Sequence, residues 1–201
     1  MLLIVDSSNR ANAHRALRTM FEARKRVFID LLKWDLPALA NRFEIDHFDD
    51  EHAIYLIVTD GEANHLASAR LLPTTRPALL DSLFPWLVAG EIPQGPGVFE
   101  ITRFCLAPEI GASRRRAARD ALLSGLVDFA LAKGIHSYTG VAELPWFRQI
   151  QRFGWDCRPL GVPMLHRGSA LTALRIDIDR ETPARLAAAG IAPAAAPARA
   201  A

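Results

Sequence analysis

Val98-Phe99-Glu100-Ile101-Thr102-Arg103-Phe104-Cys105-Leu106 is a run of β-branched, aromatic and aliphatic residues around one acid and one base. Such a run reads as a strand. Beyond it, Ser113 can cap a helix running to about Lys133, with Ala118, Leu122, Leu126 and Phe129 spaced for one apolar side and Gly134 marking the end. Ile135 to Val141 then reads as a second strand. Strand, helix, strand is the unit of a sheet with parallel neighbours, because parallel strands need a long crossover between them.

Working outward, Ala53 to Thr59 and His65 to Leu72 are apolar runs around Asp60-Gly61, the pattern of an antiparallel hairpin. Leu2 to Val5 is a short first strand, and Asn9 to Leu32 carries an amphipathic helix with Ala13, Leu17, Met20, Phe21, Phe28 and Leu31 on one stripe. Lys33 to Asp50 is polar, punctuated by Pro37, and reads as a functional loop or a lid. Pro73, Pro77, Pro85, Pro93 and Pro96 break the next stretch into short pieces. Toward the C-terminus come a short helix from Leu144 to Arg152 and late strands over Trp155 to Leu160 and Leu171 to Ile178. Hairpins mixed with a crossover predict an α/β sandwich with a mixed, twisted sheet and flanking helices, one domain over residues 1–180. From Glu181 to residue 201 the chain is almost entirely alanine, proline, arginine and glycine, so a frayed, disordered tail is expected.

Half of the residues are apolar and 23% are charged, the balance of an ordinary globular protein rather than of a disordered chain. A formal net charge of +2 does not ask for nucleic acid as a partner. No apolar run approaches the roughly 18 residues of a membrane span, and Leu2 to Val5 is too short for a signal peptide. The only cysteines, Cys105 and Cys157, fit buried thiols in a reducing compartment, so the cytoplasm is the expected location.

Four anomalies carry the chemistry. Arg24 lies four residues after Met20 and four before Phe28, which puts its guanidinium on the apolar stripe, either snorkelling to water or meeting an acid. Phe43-Glu44-Ile45-Asp46-His47-Phe48-Asp49-Asp50-Glu51 interleaves carboxylates with aromatics, so Asp46 and Asp49 either point into a polar site or belong to a solvated acidic loop. Arg70 ends an apolar strand and needs a carboxylate partner or a strand-end exit to water. Glu100 and Arg103 are an odd number of residues apart, so strict alternation sends them to opposite faces unless a bulge intervenes. A cross-strand salt bridge with Arg70 is the simpler use of Glu100.

Arg24, Phe28, Trp34, Asp46, Asp49, Arg70, Phe84, Glu100 and Arg103, in this order and at these intervals, resemble the signature of the LuxI-type acyl-homoserine-lactone synthases, over roughly residues 1–180. The resemblance implies an N-acetyltransferase-like three-layer fold with a V-shaped cleft. It implies S-adenosyl-methionine as a substrate, an acyl carrier protein or acyl-CoA as the acyl donor, and neither cofactor nor metal. In the roles it implies, Arg24 and Arg103 hold the methionyl carboxylate or the acidic cluster, and Asp46 and Asp49 favour the amine and sulfonium and pair with Arg70. Phe28 and Trp34 pack on the adenosyl or homoserine portion, Phe84 packs near the acyl arm, and Thr102, Phe104 and Trp146 complete the substrate-binding set. Glu100 is the candidate base for the amine, and backbone N–H groups at a strand bulge are candidates for the oxyanion.

Pro108 to Ser113 stands where related acetyltransferases place a glycine-rich pyrophosphate loop, but with a single glycine it is a weak cradle. Arg114, Arg115, Arg116 and Arg119 follow in the first turns of the helix, where positive charge opposes the helix dipole, so they suit an anionic donor or form a solvated basic face. Trp146, Trp155 and Pro159 to Pro163 are expected to shape the acyl pocket, while His47 and His136 read as structural. Most relatives with this signature use a carrier protein, which favours that donor. Glu143-Leu144-Pro145-Trp146 points the other way, resembling the branch that takes branched or aromatic acyl-CoA. The competing readings are an acyl-CoA-dependent N-acyltransferase acting on another amine, and a binding module on the same fold.

Overall fold

Alternation and turn chemistry produce the first hairpin where the sequence places it. β1 (Leu2–Val5) lies antiparallel to β4 (Ile54–Thr59), which lies antiparallel to β5 (His65–Pro73). The Asp60 side chain closes the β4–β5 turn by accepting the N–H groups of Glu62 and Asn64 at 3.0 and 2.9 Å. The computed structural model describes residues 1–191. These residues form two compact units: Met1–Leu71 with Arg103–Gly125, and Leu72–Thr102 with Leu126 onward.

The first unit holds β1, β4 and the start of β5. It also holds α1 (His14–Arg24), whose buried face is Ala16, Leu17, Met20, Ala23 and Arg24. The expected single helix from Asn9 is segmented: a 3₁₀ turn precedes α1, and a π-helix over Lys25–Leu31 follows it. That wider winding rotates the chain off the α-helical stripe, so Phe28 is buried whereas Leu31, expected beside it, is exposed. The acidic loop contains a small hairpin, β2 (Ala38–Leu39) with β3 (Phe43–Glu44), which the sequence does not announce. Its turn residues Ala40 and Asn41 are both left-handed, at φ 50° and 53°.

β6 (Val98–Leu106) passes from the second unit into the first, and α3 (Ala112–Lys133) follows it. A Cβ added at Gly125 would stand 2.3 Å from a methyl of Leu2, so a larger residue there would have to displace that side chain. Gly134 ends α3 at φ 69°, as expected of a left-handed cap.

In the second unit β6 runs parallel to β7 (Ser137–Glu143) over Val98–Glu100, and β7 is antiparallel to β10 (Ser169–Asp177). β8 (Asp156–Pro159) and β9 (Met164–His166) pair antiparallel with different parts of β10, so the parallel β6–β7 pair is what makes the sheet mixed. α2 (Leu79–Leu83) and α4 (Leu144–Ile150) are short, each limited by the prolines and turn residues around it. Tyr138 is fully buried, and its hydroxyl donates to the Leu126 carbonyl at 2.9 Å. The stretch expected to fray from Glu181 begins instead with α5 (Thr182–Ala188), because Leu186 and Ile191 are large enough to be buried. Residues 192–201 of that expected tail lie outside the described residues. Cys105 is buried as expected, but Cys157, on β8, is only half-buried. No helix among the described residues is long and apolar enough to cross a membrane.

Candidate active site

The first unit brings Arg24, Asp46, Asp49, Arg70 and Arg103 together and adds Glu44. Arg24 donates to Asp49 through both terminal nitrogens at 2.8 and 2.9 Å, and through Nε to Glu44 at 2.5 Å. Glu44 also accepts from Arg103 at 3.0 and 3.1 Å, and Arg103 donates to Asp46 at 2.7 Å. Asp46 accepts from both terminal nitrogens of Arg70 at 2.6 and 3.0 Å, and Arg70 reaches Asp49 at 2.9 Å. The path is a closed ring, Arg24–Glu44–Arg103–Asp46–Arg70–Asp49, with the charges alternating and each member bridging two of the other sign. It is formally neutral, which is the condition for burying so many charges.

Local structure places each member. Glu44 enters from β3, Arg24 from the last turn of α1, Arg70 from β5 and Arg103 from β6. The loop fixes its own carboxylates: the N–H of Phe48 donates to Asp46, and the N–H of Asp46 donates to Asp49, both at 2.9 Å. Each arginine also lies over an aromatic ring, with Arg24 at 5.1 Å from Phe21, Arg70 at 5.7 Å from Phe48 and Arg103 at 5.7 Å from Phe28. This is the use to which the interleaved aromatics of the acidic loop are put.

The bulge expected in β6 is at Arg103, whose φ is 52°, and the burial alternation of the strand slips by one residue there. A non-glycine residue in this region is strained by about 1–3 kcal/mol. The bonds of Arg103 to Glu44 and Asp46 hold it there.

Burial alone would raise the Asp49 carboxyl, but the hydrogen bonds and charge of Arg24, with Arg70 beside it, hold it far below the usual carboxylate range. Burial acts the same way on Asp46, and Arg70 and Arg103 reverse it. Both therefore stay ionised at neutral pH. The ring is not equally open: Asp46 and Arg103 keep 12% and 8% of their side chains exposed, whereas Arg24, Glu44, Asp49 and Arg70 keep 1% or less. Asp46 and Arg103 thus form the edge that a ligand can touch.

Beside that edge, Trp34 stacks on Phe28 with ring centroids 4.8 Å apart and planes 13° from parallel. The π-helix makes this possible: its C-terminal end turns at Lys33, with φ 58°, and the Trp34 N–H donates back to the Phe28 carbonyl at 2.8 Å. Phe28 is buried and Trp34 is 37% exposed, so the indole offers an open face.

In the second unit Glu100 is fully buried and its Oε2 accepts the N–H of Leu80, at the start of α2, at 3.0 Å. Leu80, Leu87 and Ala173 form a buried apolar cluster edged by the half-buried Phe84, Val141, Leu160 and Leu171. Thr102 is buried. Phe104 is half-buried, and Trp146 is half-buried with its ring edge-on to Phe153 at 5.9 Å. Trp155, expected at the acyl pocket, is buried, and its indole N–H donates to the Ile150 carbonyl at 2.9 Å at the end of α4.

Arg114, Arg115 and Arg116 are exposed at the start of α3. Arg119, grouped with them from sequence, is instead held on Asp120 at 2.6 and 2.8 Å. Glu44 is the site residue that sequence reading left unassigned, although it stands two residues before Asp46 in the same acidic run and so shares its side of an extended chain.

Residues 8–186 match the model of the autoinducer synthases. The chain belongs to this family. An acyl-homoserine-lactone synthase from Ralstonia nicotianae is 36% identical to it over 174 residues, covering 83% of this chain and 84% of that one. Among solved structures, the CoA-dependent acyl-homoserine lactone synthase BjaI, determined with SAM and isopentyl-CoA, superposes with a TM-score of 0.85 at 28% identity, over 95% of this chain and 90% of that one. MesI, a second CoA-dependent acyl-homoserine lactone synthase, gives 0.85 at 31% identity over 96% and 97%. An acyl-CoA N-acyltransferase from Pseudomonas aeruginosa, 15% identical with a TM-score of 0.59 over 87% and 98%, shares the fold alone. The ring, the stacked Phe28–Trp34 pair and Glu100 are therefore features of an autoinducer synthase with an N-acetyltransferase-like α/β fold.

Proposed function

We propose that this autoinducer synthase is a cytoplasmic acyl-homoserine-lactone synthase, which joins an acyl group from acyl-CoA to the amine of S-adenosyl-methionine and releases methylthioadenosine, making a quorum-sensing signal. The observation that carries the reading is the closed ion ring with one open edge, Asp46 and Arg103, beside an exposed indole, in a chain of this family. S-adenosyl-methionine presents an ammonium, a sulfonium, a carboxylate and an adenine. A carboxylate, a guanidinium and an aromatic face are complementary to them.

The amine loses a proton to Glu100, directly or through a water, and attacks the thioester carbonyl, expelling the donor's thiol. The methionyl carboxylate then attacks the carbon beside the sulfonium. That step needs no base, because the nucleophile is already an anion and the leaving group is a neutral thioether, so orientation carries it. The apolar cluster around Leu80, Leu87 and Ala173 suits the acyl chain. The test is a thioester-dependent release: methylthioadenosine should form only when acyl-CoA and S-adenosyl-methionine are supplied together, with an equal amount of lactone. Acyl transfer to an unrelated amine without methylthioadenosine overturns the reading.

CoA rather than a carrier protein is the donor favoured here, because BjaI and MesI are both described as CoA-dependent and the Glu143–Trp146 run agrees with them. The exposed Arg114, Arg115 and Arg116 are candidates for its phosphates. Reversing the charge at Arg115 and Arg116 should then reduce turnover with acyl-CoA, while carrier-loaded substrate stays inert even with the unaltered protein. A carrier protein would show itself by a steep, salt-dependent loss of affinity in the same variants, since exposed charges are screened beyond about 10 Å at 0.1 M ionic strength.

A further inference from the structure

Asp49 is the most heavily bonded carboxylate of the ring. Its Oδ1 meets Arg24 at 2.8 Å and Arg70 at 2.9 Å, and its Oδ2 meets Arg24 and the Asp46 N–H, each at 2.9 Å. A further donor comes from outside the ring: the Tyr55 hydroxyl lies 2.9 Å from Oδ1. Tyr55 is the direct cross-strand partner of Arg70 in the β4–β5 register, so both side chains reach Asp49 from adjacent strands. The ring of Tyr55 is 1% exposed, held edge-on by Phe21 at 6.0 Å and faced by the Arg10 guanidinium at 5.4 Å. Arg10 in turn donates to the carbonyls of Asp50 and Ala53, at 2.8 and 3.2 Å, on the far side of the same loop. Burial, with the Asp49 carboxylate beside it, pushes the Tyr55 hydroxyl far above its ordinary value, so it is a donor at every working pH.

We propose that Tyr55 is a positioning residue for S-adenosyl-methionine: its hydroxyl fixes how Asp49 divides between Arg24 and Arg70, and so where Arg70 presents the exposed carboxylate of Asp46. Nothing in the mechanism calls on Tyr55 to touch a substrate, since Asp49 and the ring interior stand between it and the open edge. Its effect passes along Tyr55–Asp49–Arg70–Asp46, each link a short hydrogen bond in a site with little water to absorb an error of geometry. The inference rests on the synthase reading.

Tyr55→Phe is the clean test, because phenylalanine keeps the contacts with Phe21 and Arg10 and removes only the donor. Asp49 keeps its other bonds, so the KM for S-adenosyl-methionine should rise about 3- to 10-fold, with kcat and the KM for acyl-CoA essentially unchanged and the urea midpoint lowered far less than by Tyr55→Leu. A KM for S-adenosyl-methionine equal to that of the unaltered protein overturns the proposal. So does a fall in activity that tracks a loss of folded protein, with both KM values unchanged, which would make the hydroxyl a stability feature only. Tyr55→Leu serves as the structural control, since it loses the ring contacts and should lower the urea midpoint as well. An unaltered protein that forms no methylthioadenosine overturns the synthase reading itself, an outcome distinct from an active unaltered protein with an unchanged Tyr55→Phe.

Discussion

Glu100→Gln is expected to lower turnover by about 100-fold or more, the usual loss for a positioned general base, and to leave the fold intact. Glutamine can keep the bond to Leu80: its carbonyl oxygen accepts the Leu80 N–H as Oε2 does at 3.0 Å. What glutamine cannot do is take the proton from the amine. Steady-state kinetics with S-adenosyl-methionine and acyl-CoA, beside a urea melt of the same preparation, check both halves of the expectation. Turnover within a few-fold of the unaltered protein would remove Glu100 from the base role and leave it a structural acceptor.

Arg24→Met should do the opposite, abolishing activity through the fold. Methionine fills much of the same volume on α1, but it takes one guanidinium from both Glu44 and Asp49, which are at 0% and 1% side-chain exposure, and leaves the buried ring one positive charge short. Removing one partner of a buried ion pair costs about 3–5 kcal/mol, a large part of the roughly 5–15 kcal/mol that holds a domain together. The urea midpoint should therefore fall steeply, and what remains folded should bind S-adenosyl-methionine poorly. A midpoint close to that of the unaltered protein would mean that the loop carrying Asp46 and Asp49 is held by its backbone bonds and not by the ring. Acid acts on the same interactions. Carboxyls held below their ordinary range contribute stability above their unfolded values near pH 4, and this contribution is lost as pH falls below that point.

The parts of the fold legible in the sequence are those with a strong period or a residue-specific turn. The β4–β5 hairpin, β6, α3 with Gly134, and β7 are of this kind, each governed by local rules. The π-helix over Lys25–Leu31 was not legible, because no residue type marks it and the apolar spacing there also fits an α-helix. Nor was the β2–β3 hairpin, whose turn puts an alanine at φ 50°. The charged anomalies of the site were legible as anomalies: Arg24 on an apolar stripe and Arg70 at the end of an apolar strand both demand acids, and both find them. Glu44 was overlooked because two neighbouring acids competed for the same notice, and its burial depends on β3. The bond of Arg119 to its neighbour Asp120 was not legible either, because charge alone does not say which acid takes a guanidinium.

The closure of the ring also bears on how such a chain can change over time. An open row of ion pairs has end members that can be traded away one at a time, each loss touching a single neighbour. A circle has no ends. Any one replacement among Arg24, Glu44, Asp46, Asp49, Arg70 and Arg103 takes a partner from two neighbours at once and leaves the circle with an unbalanced charge, which only a second replacement of the opposite sign removes. Descent with modification can therefore rework the surface, the loops and the apolar cluster around Leu80 one residue at a time, while at these six positions each replacement calls for a matching one of the opposite sign.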